Sequence, residues 1–158
     1  MMKYISVFLL FLGALAADFQ IEVSHKLKEK ETDIIENGLK EYNAPYFGPE
    51  AEYFAVYLKD EKGKVVGGIL TWTRPGFKLL YIGTLWLPEE HRGKGYGTEL
   101  MLAAEAEGKK QGCTVVQVDT MDFQAAPFYK KLGYRQIGHI KKLFGDHDIY
   151  FFRKDLTD

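Results

Sequence analysis

The sequence has a single cysteine, Cys113, in 158 residues. One thiol cannot close an intrachain disulfide or build a thiolate metal site, which excludes a disulfide scaffold and a zinc ribbon. Cys113 follows Gly112 where a helix should hand over to a strand, a setting that suits a buried, inert thiol better than a nucleophile. Histidine is scarce too. His25, His91, His139 and His147 show no paired metal-ligand spacing, so no metal is expected. An excess of one charge is also missing: 21 Lys and Arg stand against 22 Asp and Glu, a formal charge of −1. Without a basic field, no nucleic-acid partner is expected. The sequence shows no internal repeat, low-complexity tract or interdomain linker.

Long apolar runs are absent but for one, Ile5–Leu15, which is too short for a comfortable membrane span. Lys3 precedes it and Ala14-Leu15-Ala16 closes it before Ala17, which is the pattern of a secretory leader. A misassigned start or an extra apolar helix is the alternative. The expected organisation is a leader-like segment over residues 1–17 and one domain over 18–158, with no membrane in the mature form.

Hydrophobic residues make up 46% and charged residues 27%, the balance of a globular protein with an ordinary core. Phe19–Ser24 alternates apolar and polar residues and predicts a strand. Leu27, Ile34, Ile35, Leu39 and Tyr42 recur near a helical period, and Asn43–Glu50 reads as a loop. Tyr53–Lys59 and Lys64–Thr73 flank a turn at Asp60–Gly63, a hairpin signal. Lys78–Pro88 is nearly all apolar and predicts a central strand. A helix follows from about Gly97, in which Ala104 and Gly108 would allow close approach to the sheet. Late Lys109 and Lys110 and then Gly112 end it. Thr114–Thr120 reads as strand, Gln124–Gly133 as a short helix, and "YRQIG" with "DIYFFRK" as a closing antiparallel pair. The expected order is β-α-β-β-β-α-β-α-β-β, a mixed α/β fold.

Between the central strand and its helix lies Glu89–Leu100, "EEHRGKGYGTEL". Gly93, Gly95 and Gly97 free the backbone so that its N–H groups can turn toward one point, at the positive end of a helix dipole. Arg92 and Lys94 add charge, so the stretch suits a phosphate or pyrophosphate. A tight turn alone would need fewer glycines and no cations. The Gly-Lys-Ser/Thr ending of a Walker A loop is absent. Thr98 stands where the dinucleotide fingerprint has its third glycine, and the preceding hairpins are the wrong context for it.

Arg92-Gly93-Lys94-Gly95-Tyr96-Gly97 resembles the Gln/Arg-x-x-Gly-x-Gly/Ala segment of the GNAT superfamily of N-acetyltransferases. Downstream, "QAAPFYKKLGYRQIG" (Gln124–Gly138) is similar to that family's second segment, Tyr-x-x-Leu-Gly-Tyr/Phe, and the likeness runs from about Phe19 to Lys154. It implies a mostly antiparallel sheet with one splayed parallel pair, Leu79–Leu87 and Thr114–Thr120, flanked by helices. Acetyl-CoA would lie in that opening. By resemblance, the backbone of the Leu85-Trp86-Leu87 segment pairs with pantetheine, the amides of Arg92 to Thr98 cradle the pyrophosphate, and Gln124 touches CoA. Tyr129 matches the family tyrosine that protonates the departing thiolate. The implied reaction moves acetyl from acetyl-CoA to a primary amine of a small molecule, peptide or protein by direct transfer. A homodimer is left open.

The resemblance has one gap. Relatives often carry an acid on the fourth strand to deprotonate the acceptor, and here that place holds Gly83 and Thr84. Asp119, Asp122, Glu50 and His139 are candidates by chemistry, or the proton leaves through ordered water. The acceptor is expected against Asn43–Glu50, with Asn43, Tyr46 and Phe47, together with Trp72, Arg74 and the loop Leu143–Asp148. Two other readings follow: a CoA-binding or sensing domain without acceptor chemistry, and an exported protein using the fold without CoA. A leader points to export and acetyl-CoA to the cytoplasm, so the location stays open.

Overall fold

The computed structural model describes residues 19–48 and 50–156. The expected leader, residues 1–17, lies outside them. No described helix is long and apolar enough to cross a membrane. Contacts divide the described residues into two units, the first ending at Gly38 and the second beginning at Leu39.

In the first unit the expected strand at Phe19–Ser24 does not form, and the chain there is irregular. Alternation alone makes no strand, because the backbone groups need a neighbouring strand, and the sheet contains none from this segment. Helix α1 (Glu29–Phe47) begins here. Its start is braced by Lys28 Nζ on Glu31, 3.0 Å, with acidic Glu29 and Glu31 at the positive end of the dipole.

In the second unit α1 continues to Phe47, past the expected end at Tyr42 and through Pro45. Proline forfeits one helical hydrogen bond and crowds the preceding turn. The last turn is held by contacts that local sequence does not reveal. The Phe47 ring meets Phe77 edge-on at 5.0 Å, and the Arg74 guanidinium lies over it at 5.3 Å.

The rest follows the expected order: β1 (Glu52–Lys59), β2 (Val65–Arg74), β3 (Leu79–Trp86), α2 (Tyr96–Lys110), β4 (Val115–Met121), α3 (Ala126–Lys131), β5 (Arg135–Phe144) and β6 (His147–Asp155). The β1–β2 turn is fixed by Asp60 Oδ1, which accepts from the amides of Lys62 and Lys64, each at 2.9 Å. The strands form one sheet in the order β1-β2-β3-β4-β6-β5. Every neighbouring pair is antiparallel except β3 with β4. This is the mixed, mostly antiparallel α/β sheet with one parallel pair that the resemblance implies.

One face of the sheet is covered by α2, whose Leu100, Met101, Ala104 and Gly108 are buried. They meet Ile69, Leu80, Ile82, Val116, Val118 and Phe152 in the core. A Cβ on Gly108 would stand 2.8 Å from Leu80 Cδ2, so the missing side chain sets how closely helix and sheet approach. Cys113 is buried, and burial pushes its thiol pKa up, as an inert thiol requires.

Glu105 was not legible as a core residue, yet it is only 6% exposed. It accepts from Tyr134 Oη at 2.8 Å and from Lys154 Nζ at 2.6 Å, which ties α2 to β6 and to the residue just before β5. A buried carboxylate persists only when both oxygens are answered in this way. Burial, with the Glu105 charge beside it, drives the Tyr134 phenol pKa far above its ordinary value.

Candidate active site

The site starts at one irregularity in β3. Leu70 pairs with Thr84, but Thr71 pairs with Ile82, so Gly83 is an extra residue on the β3 side. Such a bulge shifts the two-residue alternation by one place. Leu80 and Ile82 point into the α2 face; beyond Gly83 that face takes Leu85 and Leu87 instead. The parallel ladder to β4 ends at the same point. Its last pair is Ile82 with Val118, although β3 runs on to Trp86 and β4 to Met121. Past Ile82, β3 pairs with β2 alone and β4 with β6 alone. The edges that face each other are left without a strand, and a cleft of about 950 Å³ opens there.

At one end of the cleft stands the glycine stretch. Gly93 (φ 70°) and Gly95 (φ 91°, the residue before α2) adopt the left-handed backbone that glycine allows at little cost. Gly97 has a different role: a Cβ there would lie 3.3 Å from the Phe128 ring, so it lets α2 pack on α3. Arg92 N donates to Glu89 O and Thr98 N to Gly95 O. The amides of Gly93 to Gly97 take no backbone acceptor among the described residues. The open set is therefore narrower than Arg92–Thr98. The Arg92 side chain folds back, Nε donating to Leu87 O at 3.0 Å.

At the other wall is Tyr129 on α3, 4% exposed and packed among Phe128, Tyr134 and Phe152. Its hydroxyl has no protein partner among the described residues, and no fully buried side-chain oxygen is left unpaired. The oxygen therefore reaches the cleft that the residue lines. Burial, and then the nearby Asp119 charge, raise its pKa to about 12, so the phenol keeps its proton throughout the neutral range. Gln124 closes the turn after β4. Its Oε1 accepts from Met121 N at 2.9 Å and from Thr120 Oγ1 at 3.2 Å.

Of the residues singled out from sequence, Leu85, Trp86, Leu87, Arg92, Gly93, Gly95, Gly97, Thr98, Gln124 and Tyr129 all line this one cleft. Lys94 and Tyr96 do not. Tyr96 lies with His91 beside the β1–β2 turn instead, at a shallower hollow. No cluster of metal-ligating side chains occurs among the described residues.

The comparisons agree with this geometry. Residues 17–134 match the model of the Acetyltransferase (GNAT) family. The chain belongs to that family. An acetyltransferase of Agrobacterium fabrum is 31% identical over 121 residues, 76% of this chain and 87% of that protein. Blasticidin-S acetyltransferase of Streptomyces morookaense is 38% identical over 85 residues, 53% of this chain; the match spans 61% of that relative. The solved structure of an acetyltransferase from Bacillus cereus superposes with a TM-score of 0.75 at 31% identity, covering 85% of this chain and 97% of that one.

Within the GNAT frame, the residues expected to meet the acceptor lie outside the cleft lining, but Phe47, Trp72 and Arg74 come together, the Arg74 guanidinium 5.3 Å from the Phe47 ring and 6.0 Å from the Trp72 ring. Trp72 stacks on Tyr81 at 4.8 Å. Glu50 is paired with Lys40. The segment Leu143–Asp148 is the tip of the β5–β6 hairpin, not a wall of the cleft. Among the candidate bases, Asp122 pairs with His147 at 3.1 Å and His139 with Asp148 at 2.7 Å. Asp119 alone of the four lines the cleft, where it accepts a hydrogen bond from the Tyr81 hydroxyl.

Proposed function

We propose that the chain transfers an acetyl group from acetyl-CoA directly to the amine of a small molecule. The observation that carries this is the cleft: split strand edges, open amides at a helix start and an unpartnered phenol line one space. The unpaired edge of β3 beyond Gly83 offers backbone groups to the two amides of pantetheine, as a strand would. The amides of Gly93–Gly97, with Arg92 and the α2 dipole, receive the pyrophosphate. The relative named for acetylating blasticidin S supports a small-molecule acceptor.

In this reading the amine nitrogen attacks the thioester carbon, the C–S bond breaks, and Tyr129 donates toward the departing sulfur. A phenol raised to about 12 is a weaker acid than a thiol near about 8.5. Tyr129 therefore stabilises the thiolate by hydrogen bonding as charge develops, and full proton delivery accompanies proton loss from nitrogen. Calorimetric titration with acetyl-CoA should show one saturable site, and an amine panel read by thiol release should show turnover. Tyr129→Phe should lower turnover about a hundredfold or more while acetyl-CoA affinity stays within about twofold. Absence of acetyl-CoA binding would refute the reading, and undiminished turnover in the variant would remove Tyr129 from this role.

A further inference from the structure

The cleft is electrically two-ended. Among the residues that line it, Arg92 at the glycine end is the one cation and Asp119 the one carboxylate. β3 supplies no acid where it opens, since Gly83 and Thr84 stand there. Asp119 lies between buried Val118 and Thr120 on β4, so its side chain leaves the sheet on the face away from α2. It nevertheless shares the cleft with Tyr129, because the split strands leave a passage from one face to the other. No Lys, Arg or His pairs with it among the described residues; its partner is the Tyr81 hydroxyl. Tyr81 is itself held flat against Trp72, with ring planes 17° apart. The other charged or titratable groups around Asp119 are Tyr129 on α3 and, further along β6, Arg153, which Asp155 already engages at 2.7 Å. A carboxylate has about four acceptor positions, and here one is filled. A half-sheltered anion without a counter-charge is a receptor for a cation.

We propose that Asp119 is the acceptor-binding group of this enzyme, taking the amine as its ammonium on the face away from α2, and that Tyr81 is the positioning residue that aims it. The acceptors are accordingly cationic amines with an apolar body that lies on the Trp72–Tyr81 stack. The assignment rests on the acetyl-transfer reading. The proton count closes: one ammonium proton leaves through the Asp119 carboxylate to solvent. A second leaves nitrogen as the C–N bond forms and restores the proton that Tyr129 gives to the thiolate.

Binding of phenethylamine and of its neutral analogue phenethyl alcohol, followed by tryptophan fluorescence, tests this without the donor. The wild-type chain should prefer the amine, and Asp119→Asn should weaken the amine by about tenfold or more while leaving the alcohol and acetyl-CoA unchanged. In turnover, Asp119→Asn and Tyr81→Phe should raise KM for the amine more than they lower kcat, and Asp119→Glu should recover part of the loss. Equal binding of amine and alcohol, or no binding of either, overturns the proposal, as does an Asp119→Asn variant that holds the amine as wild type does. Intact amine preference with no acetyl-CoA binding would refute the transfer reading and leave Asp119 as a cation site.

Discussion

The two halves of β3 differ in what lies beside them. From Leu79 to Ile82 the strand is paired on both sides, and Leu80 and Ile82 are 0% and 2% exposed. From Gly83 onward it is paired on one side, and Trp86 is 55% exposed. The same strand is core below and cleft wall above, with one extra residue as the boundary. The difference shows how a sheet makes a site: it withdraws a neighbour from a strand that the rest of the fold still holds rigid.

Deleting Gly83 should break the contrast most severely. It would restore strict alternation with Leu85 and Leu87 still on the α2 face and remove the extra residue at which β3 parts from β4, so acetyl-CoA affinity should fall about tenfold or more by calorimetric titration. Leu80→Ala in the paired half should cost about 3 kcal/mol by urea denaturation. Trp86→Ala in the open half should cost about 1 kcal/mol or less and weaken acetyl-CoA instead. Equal stability losses in the two halves would contradict the division. Alkaline titration sharpens it further. Burial raises the Tyr129 pKa to about 12, above its unfolded value. The folded state therefore holds that proton more tightly, and the stability is fully present below about pH 10 and lost as pH climbs through 12. For Tyr129 this is about 2 to 3 kcal/mol, and Tyr129→Phe should flatten that part of the urea-stability profile between pH 10 and 12.

What the sequence made legible were the parts whose chemistry is local. Gly93 and Gly95 announce positive φ and open amides, and their place before α2 followed from the helix pattern. Tyr129 and Gln124 sit in a short motif whose helix and turn form as expected. The misses were tertiary. Phe19–Ser24 has the alternation of a strand and lacks a partner. Asn43–Phe47 has loop composition and is helical, with Phe47 held by Phe77 and Arg74. Glu105 looks like one more helical glutamate until Tyr134 and Lys154 arrive from 29 and 49 residues away. Gly83 was visible only as the place where an acid was missing. Its role as a bulge depends on β2, and no single segment encodes a register.

The parallel seam has a consequence for how the molecule is assembled. The β1–β2–β3 meander and the β5–β6 hairpin join strands close in sequence, whereas Leu79–Ile82 must find Val115–Val118 across the whole of α2. The entropy of closing that long loop is lost before the short ladder returns anything. The seam, like the pairing of β4 with β6, is therefore expected to form after the local meander and hairpin. A chain trapped before that step would have most of its strands and no cleft, so acetyl-CoA added during refolding would report the final event alone.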